Sequence, residues 1–268
     1  MPIFAPFSFL EQKVIVPGLD PDAQAFIDAA GITDATQQSA INTLVVDLKG
    51  AGIWTSLDII YPFVGGTATT HKYNLKDPRD LDAAYRLGFN GTFTHNSNGI
   101  TGNGTDTYGN TYLSPSNVSG GQNDIHISYY MRSYTARNGT DAGSNNGTSY
   151  SYMNARNAGG NFVTQLNGNI SASLTATALT TGYFTISRQL STSFVSSINK
   201  SHTTNSTTSV GGNGQNMYLM AYNNNGTATN FMDRNMALFT MGAGLSTAEV
   251  DDLVDINETF QTTLGRFV

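Results

Sequence analysis

The sequence has no cysteine among its 268 residues, which excludes disulfide bonds and thiolate metal sites. Charged residues are also scarce, at 12% of the chain, and no run of lysine or arginine occurs. Because phosphate contacts need clustered cations, we expect no nucleic-acid partner. The apolar fraction of 39% is still large enough to bury a core, so the composition predicts a folded chain rather than a disordered one.

Candidate catalytic and metal-binding groups are sparse as well. No Asp or Glu occurs between Asp141 and Asp233, whereas glycoside hydrolysis ordinarily needs two carboxyl groups that face each other. No Gly-x-Ser-x-Gly nucleophile elbow is present. The four histidines are scattered, without the short spacing of a zinc site. We therefore predict that the chain is not an enzyme and needs no metal or other cofactor.

The first 20 residues form a separate segment. They carry no leading basic residues and are too short and too proline-broken for a signal peptide or a membrane span. Phe4, Phe7, Phe9 and Leu10 lie among prolines that favour extended backbone. One interpretation is a strap that packs on the chain's own core. The other is an attachment arm, residues 1–20, that docks in another protein's groove or sheet.

Residues 21–75 predict a small helical subdomain that packs on the rest of the chain. Asp20 or Asp22 can cap a first helix that ends before Gly31. Asp34 with Gln37 three residues later predicts the start of a second helix, which ends near residue 50. Within this helix, apolar residues at positions 41, 44, 45 and 48 form one stripe, which is typical of a helix packed against a core.

Residues 76–268 show the rhythm of an antiparallel β-sandwich. Short alternating or apolar runs, each a candidate strand, occur at residues 89–93, 125–131, 149–153, 162–166, 170–174, 183–186, 194–195, 217–222 and 235–241. Gly/Asn-rich segments between them, including residues 99–109, 138–147 and 203–214, predict turns. This spacing favours a sandwich or jelly roll.

The C-terminal segment, residues 216–264, gives the most specific pattern. Two short strands flank the turn-forming run Asn223 to Gly226, and Ser246 with Glu249 forms a capping box that predicts a helix to about Leu264. This cassette resembles the end of the concanavalin A-like (laminin-G-like) jelly-roll family. The resemblance implies a mainly β fold, a jelly-roll sandwich of antiparallel sheets with a small N-terminal helical subdomain and a C-terminal helix.

The resemblance also bears on chemistry. The catalytic motif of the family's glucanases, Glu-x-Asp-x-x-Glu, does not occur in this sequence. Laminin-G-like domains often bind calcium, and Asn103, Asp106 and Asp124 could supply oxygen ligands near glycine-rich turns. The chain as a whole, at residues 61–66, 74–80 and 260–266, also resembles uncharacterised bacteriophage virion proteins. That second resemblance implies a location, the virion, more than an activity.

One segment combines aromatic rings with planar cations, a composition suited to stacking on sugars and bonding their hydroxyl groups. We take as candidate glycan-binding residues Tyr130, Arg132, Tyr134, Tyr150, Tyr152 and Arg156. In the alternative interpretation, these tyrosines fill the sandwich and the arginines are solvated charges at a sheet edge.

These observations predict a virion structural protein, in the capsid decoration or in a tail or fibre. It would attach to other virion proteins through the N-terminal arm, and it could form a homo-oligomer. The alternative is a carbohydrate-binding or host-receptor-binding module that contacts host-surface glycans. A glycan-degrading enzyme is the third hypothesis, and the missing carboxylates count against it.

Overall fold

Two β-sheets that pack face to face form the body of the chain, and helices cover the outer face of one of them. The computed structural model describes residues 18–133, 135, 137–169, 172–174 (main chain only) and 181–268. The predicted mainly β jelly-roll sandwich with helices at both ends is confirmed. The predicted arm with Phe4, Phe7, Phe9 and Leu10 lies outside the described residues and stays a prediction.

The helices lie near the two ends of the described chain. They are α1 (Pro21–Ala30), α2 (Ala35–Gly50), α3 (Ala68–His71) and α4 (Thr247–Thr263), with 3-10 turns at Trp54–Ser56 and Asp82–Ala84. The side chains of Asp20, Asp34 and Ser246 each accept a backbone N–H at the start of a helix, which confirms the predicted caps. No helix within the described residues has the length and apolar character needed to cross a membrane.

The strands are short and fall into two groups. They are β1 (Leu57–Tyr61), β2 (Gly88–Asn90), β3 (Thr94–Asn96), β4 (Gly99–Thr101), β5 (Tyr108–Asn110), β6 (Ile125–Met131), β7 (Ala142–Asn145), β8 (Tyr150–Asn154), β9 (Phe162–Gly168), β10 (Ala172–Leu174), β11 (Gly182–Leu190), β12 (Ser193–Ile198), β13 (Ser201–Asn205), β14 (Tyr218–Leu219), β15 (Tyr222–Asn224), β16 (Thr227–Thr229) and β17 (Asn235–Gly242).

The first sheet has eight strands in the order β13-β12-β11-β6-β17-β4-β3, with β1 paired to β17. The second has nine, in the order β10-β9-β8-β7-β14-β5-β2, with β15 paired to β7 and β16 to β15. Within the described residues every pairing is antiparallel except that of β15 with β7. This parallel contact brings the hairpin of β15 and β16 onto the middle of the second sheet.

Two apolar clusters follow from the alternation of side chains along the first sheet. On β6, Tyr129 points into the core between the sheets, whereas Tyr130 points into the layer beneath the helices. On β17, Phe239 and Leu238 divide in the same way. The first sheet is therefore buried on both faces, and the second has its core face buried and its outer face open.

Strand β1 lies in the predicted helical subdomain of residues 21–75, yet it pairs with β17 inside the first sheet. Its residues Ile59 and Tyr61 face the core between the sheets, and Ile60 faces the helices. Because both faces of this strand are buried, its sequence does not alternate between apolar and polar residues. Residues 21–75 thus contribute a sheet strand as well as helices.

Two predicted strands are interrupted by left-handed residues. Gly91, at φ 74°, separates β2 from β3 in the predicted strand 89–93. Met220, at φ 59°, separates β14 from β15 in the predicted strand 217–222. The predicted turn after residue 222 is confirmed in position, with Asn225 and Gly226 both at positive φ between β15 and β16.

The C-terminal residues are held by a buried arginine. The side chain of Arg266 is 2% exposed and is not paired with a carboxylate in any ion pair of the described residues. Its guanidinium donates to side-chain or carbonyl oxygens of Gln261, Phe63, Ser97, Pro62 and Ala237. Burial lowers the pKa of Arg266 to about 9. These bonds tie the end of α4 to the turn after β1 and to β17.

Candidate functional site

The open outer face of the second sheet carries a groove of about 510 Å³, which we call the tyrosine groove. Its aromatic walls are Tyr150 and Tyr152 of β8 and Tyr222 of β15. A cavity of this size is typical of small-molecule sites, which measure about 300–1,000 Å³. Tyrosine offers both a ring face and a hydroxyl group, so such walls can contact apolar and polar parts of one ligand.

Strand register places the groove residues in one row. Tyr152 on β8 pairs with Gln165 on β9 and with Gly143 on β7, and Gly143 pairs in turn with Tyr222 on β15. The Tyr152 and Tyr222 rings stand 5.7 Å apart between centroids, at an interplanar angle of 76°. Rings at this angle form a corner, so they cannot both stack on the same flat face of a ligand.

Gly143 makes the corner possible because it has no side chain. A Cβ atom at this position would lie 2.7 Å from Thr140 Cγ2, from Tyr152 Cβ and from Tyr222 Cδ2. Real Cβ atoms do not approach other atoms this closely, so any other residue would push the walls apart. The smallest residue in the row thus fixes the shape of the groove.

Side-chain amides supply the rest of the polar lining. They belong to Asn138, Asn154, Asn157, Asn169, Asn230 and Gln165. Several of them are already fixed by hydrogen bonds. Asn154 Nδ2 donates to the carbonyl oxygens of Arg137 and Gly139, and Asn157 Oδ1 accepts the backbone N–H of Asn161. An amide presents both donors and acceptors, so this lining suits a ligand rich in hydroxyl groups.

Two polar groups of the groove are buried without a partner within the described residues: Gln165 Nε2 and the Tyr222 hydroxyl. Gln165 is 2% exposed. The Tyr222 hydroxyl lies beside Asn145 but makes no hydrogen bond of ordinary geometry. Burial, and then Tyr152, raises the pKa of Tyr222, so the hydroxyl keeps its proton and remains a donor. Because an unsatisfied buried donor is costly, both positions are suited to bonding a ligand oxygen.

A buried ion pair supports the groove from below. Arg234 Nη1 donates to Asp141 Oδ1 at 3.0 Å and to Oδ2 at 2.7 Å, with both side chains essentially unexposed. Asp141 also accepts from the Tyr129 hydroxyl and the Ala155 N–H. Arg234 Nη1 donates as well to Asn154 Oδ1, at 3.1 Å. The network therefore positions an amide of the groove and engages the Asp141 carboxylate.

The structure divides the predicted glycan-binding set. Tyr150 and Tyr152 line the groove. Tyr130 lies on the other sheet, 1% exposed under the helical layer, where its hydroxyl donates to the carbonyl oxygen of Val268. Arg132 Nε donates to the carbonyl oxygen of Arg266.

Tyr130 and Arg132 were grouped with the other candidates because they are close in sequence. Tyr130, however, lies on β6, which belongs to the sheet that the helices cover, and Arg132 follows the end of that strand. These two residues are therefore not brought to the groove.

The remaining two candidates are Arg156, which lies near the groove, and Tyr134. Arg156 follows the end of β8 and is not among the described residues that line the groove, although its carbonyl oxygen accepts from Arg234 Nη2. Tyr134 lies outside the described residues. Of the predicted set, the described structure places Tyr150 and Tyr152 at the groove, and glycan binding by the set stays a prediction.

Three residues at the groove, Gln165, Tyr222 and Gly143, were not predicted from the sequence. A signal for Tyr222 was present, since in the predicted strand 217–222 it alternates with apolar residues and so belongs to the outer face. Gly143 falls in a Gly/Asn-rich segment that was interpreted as a turn, but residues 142–145 form β7, in the middle of the second sheet. Main-chain pairing with β8, β14 and β15 holds this strand, together with the buried Ala142 and the side-chain bonds of Ser144 and Asn145.

The predicted calcium ligands are engaged with other groups. Asp106 Oδ1 accepts from Asn103 Nδ2 at 2.7 Å, and Asp124 Oδ1 accepts from the Gly244 N–H at 2.9 Å. Within the described part of the chain, no three His, Asp or Glu side chains converge in a metal-ligand arrangement. Calcium binding at these residues stays a prediction.

Solved structures with a similar fold include a mutant of Trypanosoma rangeli sialidase displaying trans-sialidase activity. It aligns with 88% of this chain and 39% of its own, at 9% identity and a TM-score of 0.57. The botulinum neurotoxin serotype D binding domain aligns with 76% of this chain and 52% of its own, at 12% identity and a TM-score of 0.53. These similarities show a shared fold. No family model and no curated protein matches the sequence.

Proposed function

We propose that the chain is a carbohydrate-binding module whose ligand occupies the tyrosine groove. The observation that carries the proposal is the pair of buried, unpartnered donors, Gln165 Nε2 and the Tyr222 hydroxyl, beside the corner formed by two tyrosine rings. A sugar presents C–H faces that pack on aromatic rings, and oxygens that accept from such donors. The fixed amides around the corner supply further polar contacts.

The tyrosine groove is proposed to bind a carbohydrate without hydrolysing it. Among the described residues that line the groove none carries a carboxyl group, whereas glycosidases ordinarily use two. Asp141 lies beneath the groove, but its two oxygens already accept from Arg234, Tyr129 and Ala155. A carboxylate held in this way is suited to positioning the groove rather than to proton transfer.

The test is binding of the purified chain to a broad glycan array, followed by calorimetric titration of the glycans that bind. Tyr152→Ala removes one wall of the corner and should weaken binding by at least about tenfold, as expected for a central aromatic contact. Tyr73→Ala is the matched control, since Tyr73 packs on the helical cluster at the other side of the first sheet.

Binding that Tyr152→Ala removes and Tyr73→Ala leaves intact would support the proposal. An array without any ligand, or a ligand that binds equally well to Tyr152→Ala, would overturn it. The virion location, the partners of residues 1–20 and the homo-oligomer stay predictions from the sequence, because the proposal concerns only the groove.

A further inference from the structure

The lining of the tyrosine groove is electrically neutral. Within the described residues it consists of tyrosine, asparagine, glutamine, threonine, glycine and valine side chains, and none of them is charged. The long interval between Asp141 and Asp233 without a carboxylate includes both aromatic walls and the Gln165 strand. A ligand in the groove therefore meets dipoles and rings rather than ions.

Two cations near the groove, Arg234 and Arg137, are already engaged. Arg234 lies beneath the lining and is paired with Asp141 in a fully buried ion pair. Arg137, which precedes the lining residue Asn138, donates to Asp233 at 3.2 Å and to the Gly104 carbonyl oxygen at 2.6 Å. Redirecting either guanidinium to a ligand would break its contacts with Asp141 or with Asp233 and Gly104.

The two unpartnered donors suit an uncharged oxygen. The Gln165 amide nitrogen and the Tyr222 hydroxyl each bring a neutral donor group to the groove. A sugar hydroxyl, a ring oxygen or an acetamido carbonyl can accept from them at little desolvation cost. A carboxylate buried at the same place loses its hydration shell and gains no opposite charge, and this loss outweighs neutral hydrogen bonds.

Resting on the proposed function, we propose that the groove selects neutral saccharides and discriminates against acidic ones, such as glycans that carry sialic or uronic acids. Selection acts in the groove, where Gln165, the neighbour of Tyr152 on β9, bonds an uncharged oxygen of the ligand. The acidic net charge of the chain, −6, opposes anionic ligands in the same direction.

The experiment compares pairs of glycans that share a core and differ in one acidic group: lactose with sialyllactose, and cellobiose with its uronic-acid counterpart. If no member of these pairs binds, the array hits of the wild-type chain supply the cores instead. The wild-type chain should bind the neutral member at least about tenfold more tightly. Gln165→Lys places a cation in the groove and should shift that preference toward the acidic member by about tenfold. Gln165→Leu is the uncharged control, and thermal unfolding of both variants verifies that the sheet still folds.

Each outcome separates the two proposals. Tighter binding of the neutral members, with binding lost in Tyr152→Ala and the preference shifted by Gln165→Lys, supports both carbohydrate binding and selection for neutral saccharides. Tighter binding of acidic members that depends on Tyr152 overturns the selectivity and leaves the carbohydrate-binding proposal standing. A neutral preference that Gln165→Lys does not shift, in a folded variant, overturns the role of Gln165 in selection. The absence of any glycan ligand overturns the proposed function and the selectivity with it.

Discussion

The outer faces of the two sheets differ: helices cover the outer face of the first sheet, and the outer face of the second sheet is open. On the first sheet, Ile60, Tyr130 and Leu238 point outward into an apolar layer closed by α2 and α4. On the second sheet, Tyr152 and Gln165 line an open groove, and Gly143 beside Tyr152 leaves a gap. The tyrosines also differ, since Tyr130 is bonded to the chain's own C-terminal residue and the Tyr222 hydroxyl has no partner within the described residues.

This difference shows that the face on which a tyrosine lies decides whether its ring is structural or available to a ligand. On the covered face Tyr130 bonds Val268, beyond the end of α4, whereas the open face leaves ring surface beside the gap at Gly143. The first face therefore contributes mainly to stability, and the second is suited to recognition. The comparison can be tested by removing groups from each side in turn.

The largest effect is expected beneath the open face, from Asp141→Asn. This change leaves the Arg234 guanidinium buried without its counter-charge, and loss of one partner of a buried pair costs about 3–5 kcal/mol of unfolding free energy. Chemical denaturation would measure it. The control is Asp233→Asn, which breaks a partly exposed pair with Arg137 and should cost less than about 1 kcal/mol. Equal effects would show that the groove floor does not depend on the buried pair.

The next effect contrasts one side chain from each face. Leu253→Ala removes a buried contact of α4 and should lower the unfolding free energy by about 2–5 kcal/mol. Tyr152→Ala, on the open face, should lower it by less than about 1 kcal/mol while abolishing most glycan binding. A large loss of stability in Tyr152→Ala would contradict the division between the two faces.

A smaller effect concerns pH and belongs to the covered face. Burial lowers the pKa of His126 to about 4, from an ordinary value of 6.5. Between these values the unfolded chain binds a proton that the folded chain refuses, so stability falls as the pH drops below about 6.5. His126 alone should remove roughly 2 kcal/mol between pH 7 and pH 5. Unfolding curves of His126→Gln should show a shallower pH slope, and an unchanged slope would refute the assignment.

Local sequence signals were enough for the three longer helices, α1, α2 and α4, but not for the four-residue α3. A cap acts within one turn, so Asp34 with Gln37 and Ser246 with Glu249 were sufficient to place the starts of α2 and α4. Alternation likewise placed β6 and β8, whose two faces meet different surroundings. Strand β7 was missed because its sequence Ala-Gly-Ser-Asn contains turn-forming residues, and its place depends on hydrogen bonds from distant strands.

The site was harder to predict because it is assembled across the sheet. Tyr152 and Tyr222 lie 70 positions apart in sequence and meet only through the register of β7 with β8 and β15. Proximity along the chain instead grouped Tyr130 with Tyr150, although these residues belong to different sheets. The amino-acid types were informative, and the register that joins them depends on the whole fold.

The contacts of Arg266 imply an order of events in folding. Its bond to the Phe63 carbonyl oxygen joins positions 203 residues apart, and it holds the end of α4 against the turn after β1. Synthesis proceeds from the N-terminus, so the carbonyl groups of residues 62 and 63 emerge long before the arginine that binds them. The helical cover can therefore lock only once residue 266 has been made. Contacts of such long range are formed slowly, so closure of this cover is expected to be the final step after the sheets have paired.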